Sequence, residues 1–417
     1  MTAPASRGDF VRELRDGGGV LLGSLLGVGV GVSGLLFYTS GIFVADLAKT
    51  IGLTRTQFGL ASLCATTAVA IANPLVGWLV DRFGVRRPAA FGLVSLAIGF
   101  FALGALTESV AAYVALQTVT AFFAAASGPI AYNKAISAWF ERHRGAALGI
   151  TMTGIGIAAA IVPPLLARTI AGHGWRTGYY VLGAVALVGL VPLLALVRLP
   201  PSYRSSSPAA AGGDPAVPDF HRSSVFWMLM AAFTTLAVGF AGLLQHFVPM
   251  LTDLGVEPVR AGSLAGVIGV AVIVSRIVVG LLVDRFFAPR VAVGTCLLCI
   301  AGCAVLLVYG APGAVFAAIA LGAAMGAEID LIGFLVARYF GLRAFGRAYG
   351  WQYAAFIVAG GVSPLWMGIL FDRTGTYRSS LPACMVILSF AALLFLRLPG
   401  YAPAGTGVAP ALHRARR

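Results

Sequence analysis

Three charged residues stand inside stretches of this chain that are otherwise almost wholly apolar. Arg276 lies in Val270-Ala-Val-Ile-Val-Ser275-Arg276-Ile-Val-Val279, eight residues before Asp284. If the stretch is helical, 1.5 Å per residue puts the guanidinium about 12 Å from the charged end of the segment. An arginine at that depth in a bilayer costs at least about 2.5–3.5 kcal/mol, so it needs a wet cavity or a partner. A planar fork of donors fixed in such a place suits a carboxylate. The alternative role is an ion pair that ties neighbouring helices. Glu328 and Asp330 precede Arg338 by ten and eight residues and so reach a similar depth. Two positions along a helix turn the side chain by about 200°, so the two acids face different ways. Asp330 shares a face with Gly326 and Gly333, whereas Glu328 shares one with Ala324, Met325, Leu331 and Ile332. One acid is expected to pair with Arg276. The other either carries a proton, as a carboxyl group in a low-dielectric site can, or stabilises an interface. The choice between them stays open on the sequence.

Smaller polar groups interrupt other apolar runs. Tyr38, Thr39 and Ser40 are expected to line a cavity, as are Tyr132 and Asn133, while Lys134 beside them suits a snorkelling role. His246 follows Gln245 near a segment end and can act as a proton-sensing group or as a hydrogen-bonded side chain at an interface. Cys64, Cys296, Cys299, Cys303 and Cys384 each lie in apolar sequence without a companion His or acid cluster. They read as packing residues, with no metal, cofactor or disulfide implied.

The elements that must hold these residues are membrane spans. Of 417 residues, 59% are hydrophobic and 11% charged, and the mean hydropathy is +0.92. A water-facing domain needs more charge than that at its surface. With about 20 residues per span there is room for twelve helices, expected at 20–46, 57–80, 89–107, 110–134, 145–167, 178–198, 225–250, 260–284, 290–309, 313–338, 347–370 and 380–398. The first run is too long for a signal peptide and is read as a retained span. Residues 199–224, rich in Pro, Ser, Ala and Gly, read as a linker. It divides an N-terminal six-helix bundle (1–198) from a C-terminal bundle with a short tail (225–417).

The two halves echo each other. Gly77-Trp-Leu-Val-Asp81-Arg82-Phe-Gly84-Val-Arg86-Arg87 returns 203 positions later as Gly280-Leu-Leu-Val-Asp284-Arg285-Phe-Phe-Ala-Pro-Arg290. Trp139-Phe140 corresponds to Tyr339-Phe340, and Gly145-Ala-Ala147-Leu-Gly149 to Gly346-Arg-Ala348-Tyr-Gly350. Such internal repetition marks a duplicated six-helix unit. With the N-terminus inside, the outer loops hold Lys49, Arg55, Arg168, Arg176, Arg260, Arg373 and Arg378, and Arg276 falls within a span; the rest of the 29 Lys and Arg lie on the inner side. That bias places both termini in the cytoplasm, most simply across a bacterial inner membrane. It also accounts for the net charge of +14 through contact with anionic lipid rather than nucleic acid.

The charged loop resembles the hallmark motif between helices two and three of the major facilitator superfamily, whose Gly, Asp, Arg, Gly and basic pair are all present. The resemblance implies an all-α membrane fold of twelve helices in two pseudo-symmetric bundles and transport by alternating access. Asp81, Arg82, Arg86, Arg87, Asp284 and Arg285 would then form an inner latch between the halves. Trp139-Phe140-Glu-Arg142-His-Arg144-Gly-Ala-Ala147-Leu-Gly149 with Gly154 resembles the monocarboxylate porters. They and the oxalate–formate exchangers carry an arginine in the eighth span, which Arg276 matches, and monocarboxylate porters carry an acid in the tenth. The resemblance implies a small organic anion moved with protons, held by Arg276, Tyr38, Tyr132, Asn133 and Gln352, with Glu328, Asp330 and His246 as proton-coupling candidates. Position 272 is Val where monocarboxylate porters have Asp, and the lysines of both groups are absent, with Gln352 and Tyr353 the nearest polar residues in the eleventh span. One fixed cation fits a monoanion better than a dianion. The drug antiporters' fourth-span arginine and fifth-span Gly-Pro segment have no counterpart, since Gln117 and Pro163-Pro164 stand nearby. Drug export is therefore the second reading within this fold. A membrane sensor without transport is the reading from another class, but it would normally bring a sizeable soluble domain. The motifs of hydrolases, phosphate loops and zinc enzymes are missing, so an enzyme is not expected.

Overall fold

The structure, a computed structural model, describes residues 7–140, 144–200 and 220–401; the side chains of 7–12, 81, 144–145, 284, 327 and 341–347 are outside that description. Among the described residues every regular element is helical. Eleven segments are long and apolar enough to span a bilayer, and Ser380–Leu396 adds a shorter apolar helix of 17 residues, the twelfth. Large apolar side chains such as Ile98, Val188, Val308, Val386 and Phe390 point away from the core. That is the arrangement a lipid solvent favours.

Local chemistry sets the helix ends. Helix α3 (Arg55–Phe83) starts at a capping box, in which Gln57 donates its backbone N–H to Thr54 and accepts from the Thr54 backbone. It ends at Gly84, whose φ of 76° suits only glycine, and α4 (Arg86–Leu106) begins two residues later. The charged motif is therefore two facing helix ends joined by Gly84 and Val85.

The first and fourth spans are not the unbroken helices expected. In the first, α1 (Arg7–Gly29) gives way to a π-turn at Ser33–Phe37 and a 3₁₀ turn at Ser40–Phe43 before α2 (Val44–Ile51). In the fourth, α5 (Val110–Ala124) passes through a 3₁₀ turn at Ala125–Ser127 before α6 (Pro129–Trp139). The glycines explain both breaks. A Cβ at Gly31 would lie 2.3 Å from the Ser127 carbonyl oxygen, and one at Gly92 would lie 2.2 Å from the Ser127 nitrogen. The Val32 N–H, freed by the break, donates to Ser127 Oγ at 3.0 Å. Gly23 and Gly27 likewise admit Leu196 and the Tyr132 ring, so the spacing by four serves close approach, as small-residue stripes do in membranes.

The remaining spans are α7 (Arg144–His173), α8 (Trp175–Val188) with α9 (Leu190–Leu196), α10 (Ser224–Gln245) with α11 (Phe247–Asp253), α12 (Pro258–Arg285), α13 (Ala288–Tyr309), α14 (Ala314–Thr374) and α15 (Ser380–Leu396). Helix α14 contains both the tenth and the eleventh spans, where separate helices were expected. It folds back on itself, because the Tyr349 ring lies 3.8 Å from where a Cβ on Gly333 would sit. Sixteen residues of straight helix would separate them by about 24 Å.

The halves meet along two seams, α3 with the second limb of α14, and α7 with α12. Both seams are closed at the end that carries Arg55. There a Cβ at Gly59 would lie 2.5 Å from the Pro364 oxygen, one at Gly368 2.2 Å from the Arg55 oxygen, and one at Gly269 2.2 Å from the Ala160 nitrogen. At the opposite end the seams are parted: among the described residues, Gly77, Gly149, Gly280 and Gly350, which continue the seam faces, have nothing within 4 Å of a Cβ position.

Candidate functional site

Helix α12 and the first limb of α14 run side by side in the same direction with a constant offset. A Cβ at Gly322 would stand 2.4 Å from the Ile268 oxygen, and one at Gly326 2.5 Å from the Val272 oxygen. The Ser275 hydroxyl donates to the Ala323 oxygen at 2.6 Å and fixes the register. One turn further on, the same offset sets Arg276 against Asp330. Nη1 of Arg276 donates to both carboxylate oxygens, at 3.2 and 3.1 Å. The arginine side chain is 7% exposed and the aspartate 42%. Nε of Arg276 is buried and has no acceptor. Among the described residues the guanidinium donates through Nη1 alone, and its Nε edge has no partner. A second carboxylate could receive donors along that edge.

Glu328 faces another way. It is 6% exposed, its Oε2 has no hydrogen-bond partner, and it is within electrostatic reach of Arg276, Asp330, Tyr38 and Tyr353. Tyr38 reaches this cluster from the first span, across the gap between the halves. Its neighbours do not: Thr39 donates to the Leu35 oxygen at 2.7 Å, and Ser40 to the Phe37 oxygen at 3.3 Å. Arg276, Glu328, Asp330 and Tyr38 are therefore brought together, and Tyr349 and Tyr353 join them from α14. The two tyrosines follow from helical spacing with Gln352, but only the fold-back of α14 shows that they and not Gln352 turn toward Arg276.

The other expected site residues make different contacts. Tyr132 is fully buried with its ring against Gly27 and its hydroxyl unpartnered. Asn133 has a buried, unpartnered Oδ1. Gln352 is 1% exposed and donates to the Phe226 oxygen at 2.9 Å, tying α14 to α10. His246 is wholly enclosed, with Nε2 2.9 Å from the Pro364 oxygen, Nδ1 2.8 Å from the Tyr377 hydroxyl, and the Phe58 ring edge-on at 5.3 Å. Among the motif residues, Arg82 lies over the Trp78 and Phe83 rings at 5.3 and 5.6 Å, and Arg86 donates to the Leu194 oxygen, both contacts within one half. Arg87 and Arg285 are exposed, and the side chains of Asp81 and Asp284 lie outside those described.

A polar contact between the halves is present at the closed end, on residues that the sequence did not single out. Asp372 accepts from the backbone N–H groups of Arg55 and Thr56, at 3.2 and 2.8 Å, and so caps α3 from the other half. Arg55 Nη2 lies 3.4 Å from both oxygens of Asp253. The Thr54-x-x-Gln57 capping box was a legible sign of the helix start, but nothing local says what approaches it.

The sequence profile of the Major Facilitator Superfamily matches residues 26–364. The chain belongs to that superfamily. It is accordingly an integral membrane transporter with the twelve-helix, two-bundle fold. It is similar to the D-xylose–proton symporter in structure, with a TM-score of 0.72 at 16% identity over 96% of this chain and all (100%) of that one, which is a likeness of fold. Monocarboxylate transporter 11 of Mus musculus is 25% identical over 399 residues, 89% of this chain and 86% of that protein. The riboflavin transporter RibJ of Trypanosoma cruzi is 28% identical over 196 residues, 44% of this chain and 42% of its own. Membership of the superfamily gives a transporter, not an enzyme.

Proposed function

We propose that this transporter moves a small organic monocarboxylate together with a proton by alternating access, with Arg276 as the carboxylate receptor. The observation that carries this reading is the unpartnered Nε edge of a buried arginine whose other side is held by an accessible aspartate. A substrate carboxylate approaching Arg276 meets a charge already balanced by Asp330. When a proton binds Asp330, the carboxyl becomes neutral and Arg276 is free to balance the substrate. One proton and one carboxylate then enter without changing the net charge of the site, which avoids an isolated charge in a low-dielectric cavity. Glu328, buried beside the same arginine, is a second proton-coupling candidate, whereas the enclosure of His246 favours a packing role. The likeness to a monocarboxylate transporter over most of both chains supports the substrate class.

In this reading both termini and the parted ends of the seams face the cytoplasm of a bacterial cell, so the conformation is inward-facing. The motif residues Asp81, Arg82, Arg86, Arg87, Asp284 and Arg285 act when that side closes, with the boundary between the two working halves at 199–224. The test is uptake of labelled monocarboxylates into proteoliposomes with an inward proton gradient. Arg276→Lys keeps the charge but loses the planar fork, and is expected to reduce uptake at least ~10-fold, the equivalent of one charge-assisted hydrogen bond. Unaltered kinetics in that variant would remove Arg276 from the binding site.

A further inference from the structure

Three tyrosines lie within electrostatic reach of Arg276. Tyr349 and Tyr353 are four residues apart on the second limb of α14, and their rings stack with centroids 5.6 Å apart and planes within 13°. The face they share can be located on the helix. Tyr349 meets Gly333 of the first limb, one turn beyond Asp330, and Gly361 and Gly368 meet α3 of the other half. At 100° per residue, Tyr353 points between these two contacts, into the gap between the halves. Trp351 and Val358 turn away from Tyr353, into an apolar groove against α10. Tyr349 is within electrostatic reach of Arg276 and Asp330, and Tyr353 of Arg276 and Glu328; Tyr38 reaches Arg276 and Glu328 from the far side. All three residues are partly exposed.

We infer that the substrate is an aromatic monocarboxylate, its carboxylate on the Nε edge of Arg276 and its ring against the Tyr349–Tyr353 platform, with Tyr38 completing the enclosure. This rests on the carboxylate reading above and narrows it. A short aliphatic acid satisfies the arginine but leaves the tyrosine faces bare. A planar ring covers them and gains offset or edge-on contact, which adds about 2- to 12-fold in affinity beyond area alone.

The experiment compares three probes of equal charge, benzoate, cyclohexanecarboxylate and acetate, by calorimetric binding to the full-length protein purified in detergent. Benzoate and cyclohexanecarboxylate are similar in size, so their difference reads the aromatic face. Benzoate is expected to bind about 5-fold more tightly than cyclohexanecarboxylate, and acetate more weakly than both. Tyr353→Leu is expected to abolish the preference, Tyr353→Phe to preserve it, and Tyr349→Leu to reduce it should the first variant fail to fold. Equal binding of benzoate and cyclohexanecarboxylate, or a preference that survives both leucine variants, overturns the inference. If acetate still binds and loses binding in Arg276→Ala, the carboxylate reading stands without it. If no carboxylate binds the wild type, both fall.

Discussion

At the scale of single residues, the proposed coupling turns on how one guanidinium is shared. Asp330 holds Arg276 through one nitrogen, with geometry supplied by the glycine-lined register of α12 and α14. An aspartate in that position is a switch only if neutralising it frees the arginine. Asp330→Asn mimics the protonated carboxyl, and is expected to retain exchange of labelled for unlabelled carboxylate at rates within about 3-fold of wild type. It should lose at least ~10-fold of the accumulation driven by a proton gradient, because no charge remains to be titrated beside Arg276. Proteoliposome exchange and accumulation assays check both halves of that statement. Full gradient-driven accumulation in the variant would move the coupling role to Glu328. Much of this site was legible in the sequence: Arg276, Glu328 and Asp330 are costly residues in apolar runs, and the shared face of Gly326, Asp330 and Gly333 already pointed to close helix contact. The tyrosine platform was not, because Tyr349 and Gln352 have equal claims until the fold-back of α14 decides which face turns inward.

At the scale of elements, the two seams carry their own register. On one, Arg55 meets Gly368, Gly59 meets Pro364 and Leu365, and Thr66 meets Gly361; on the other, Gly262 meets Ala167 and Gly156 meets Ile273. Three turns beyond Thr66 and Gly361, the first seam reaches Gly77 and Gly350, and two turns beyond Gly156 and Ile273 the second reaches Gly149 and Gly280. These four glycines are unpacked in the present conformation. The pairs are related by the internal repeat, since Gly77 corresponds to Gly280 and Gly149 to Gly350. Closure of the parted side is therefore expected to bring each pair together, as small residues bring membrane helices together elsewhere. Gly77→Cys with Gly350→Cys, and separately Gly149→Cys with Gly280→Cys, should cross-link under oxidation during turnover and stop transport. Failure of both pairs to cross-link, with transport intact, would contradict this closing register. Span positions were read from hydropathy to within a few residues for most helices. The breaks in the first and fourth spans were missed, because hydropathy is blind to backbone contacts such as Val32 with Ser127.

At the scale of the whole molecule, duplication and the charged motif were enough to indicate the two-bundle fold, and the superfamily profile agrees over residues 26–364. The state of the molecule was not legible, since it depends on contacts between halves. Asp372 capping α3 and Arg55 beside Asp253 close one side, and both join residues about 200 or more positions apart in sequence. With that side closed and the other parted, the proposed site at Arg276 would open to one side only, as alternating access requires. The coupling of proton to carboxylate through Arg276 is the central claim, and the most direct test counts both species in one preparation. Proton entry into proteoliposomes, followed with a trapped pH dye, would be measured beside uptake of a labelled monocarboxylate under a zero-potential clamp. The expected result is about one proton per carboxylate, and loss of both signals together in Arg276→Ala. Carboxylate uptake without proton entry, or uptake that persists in Arg276→Ala, would contradict it.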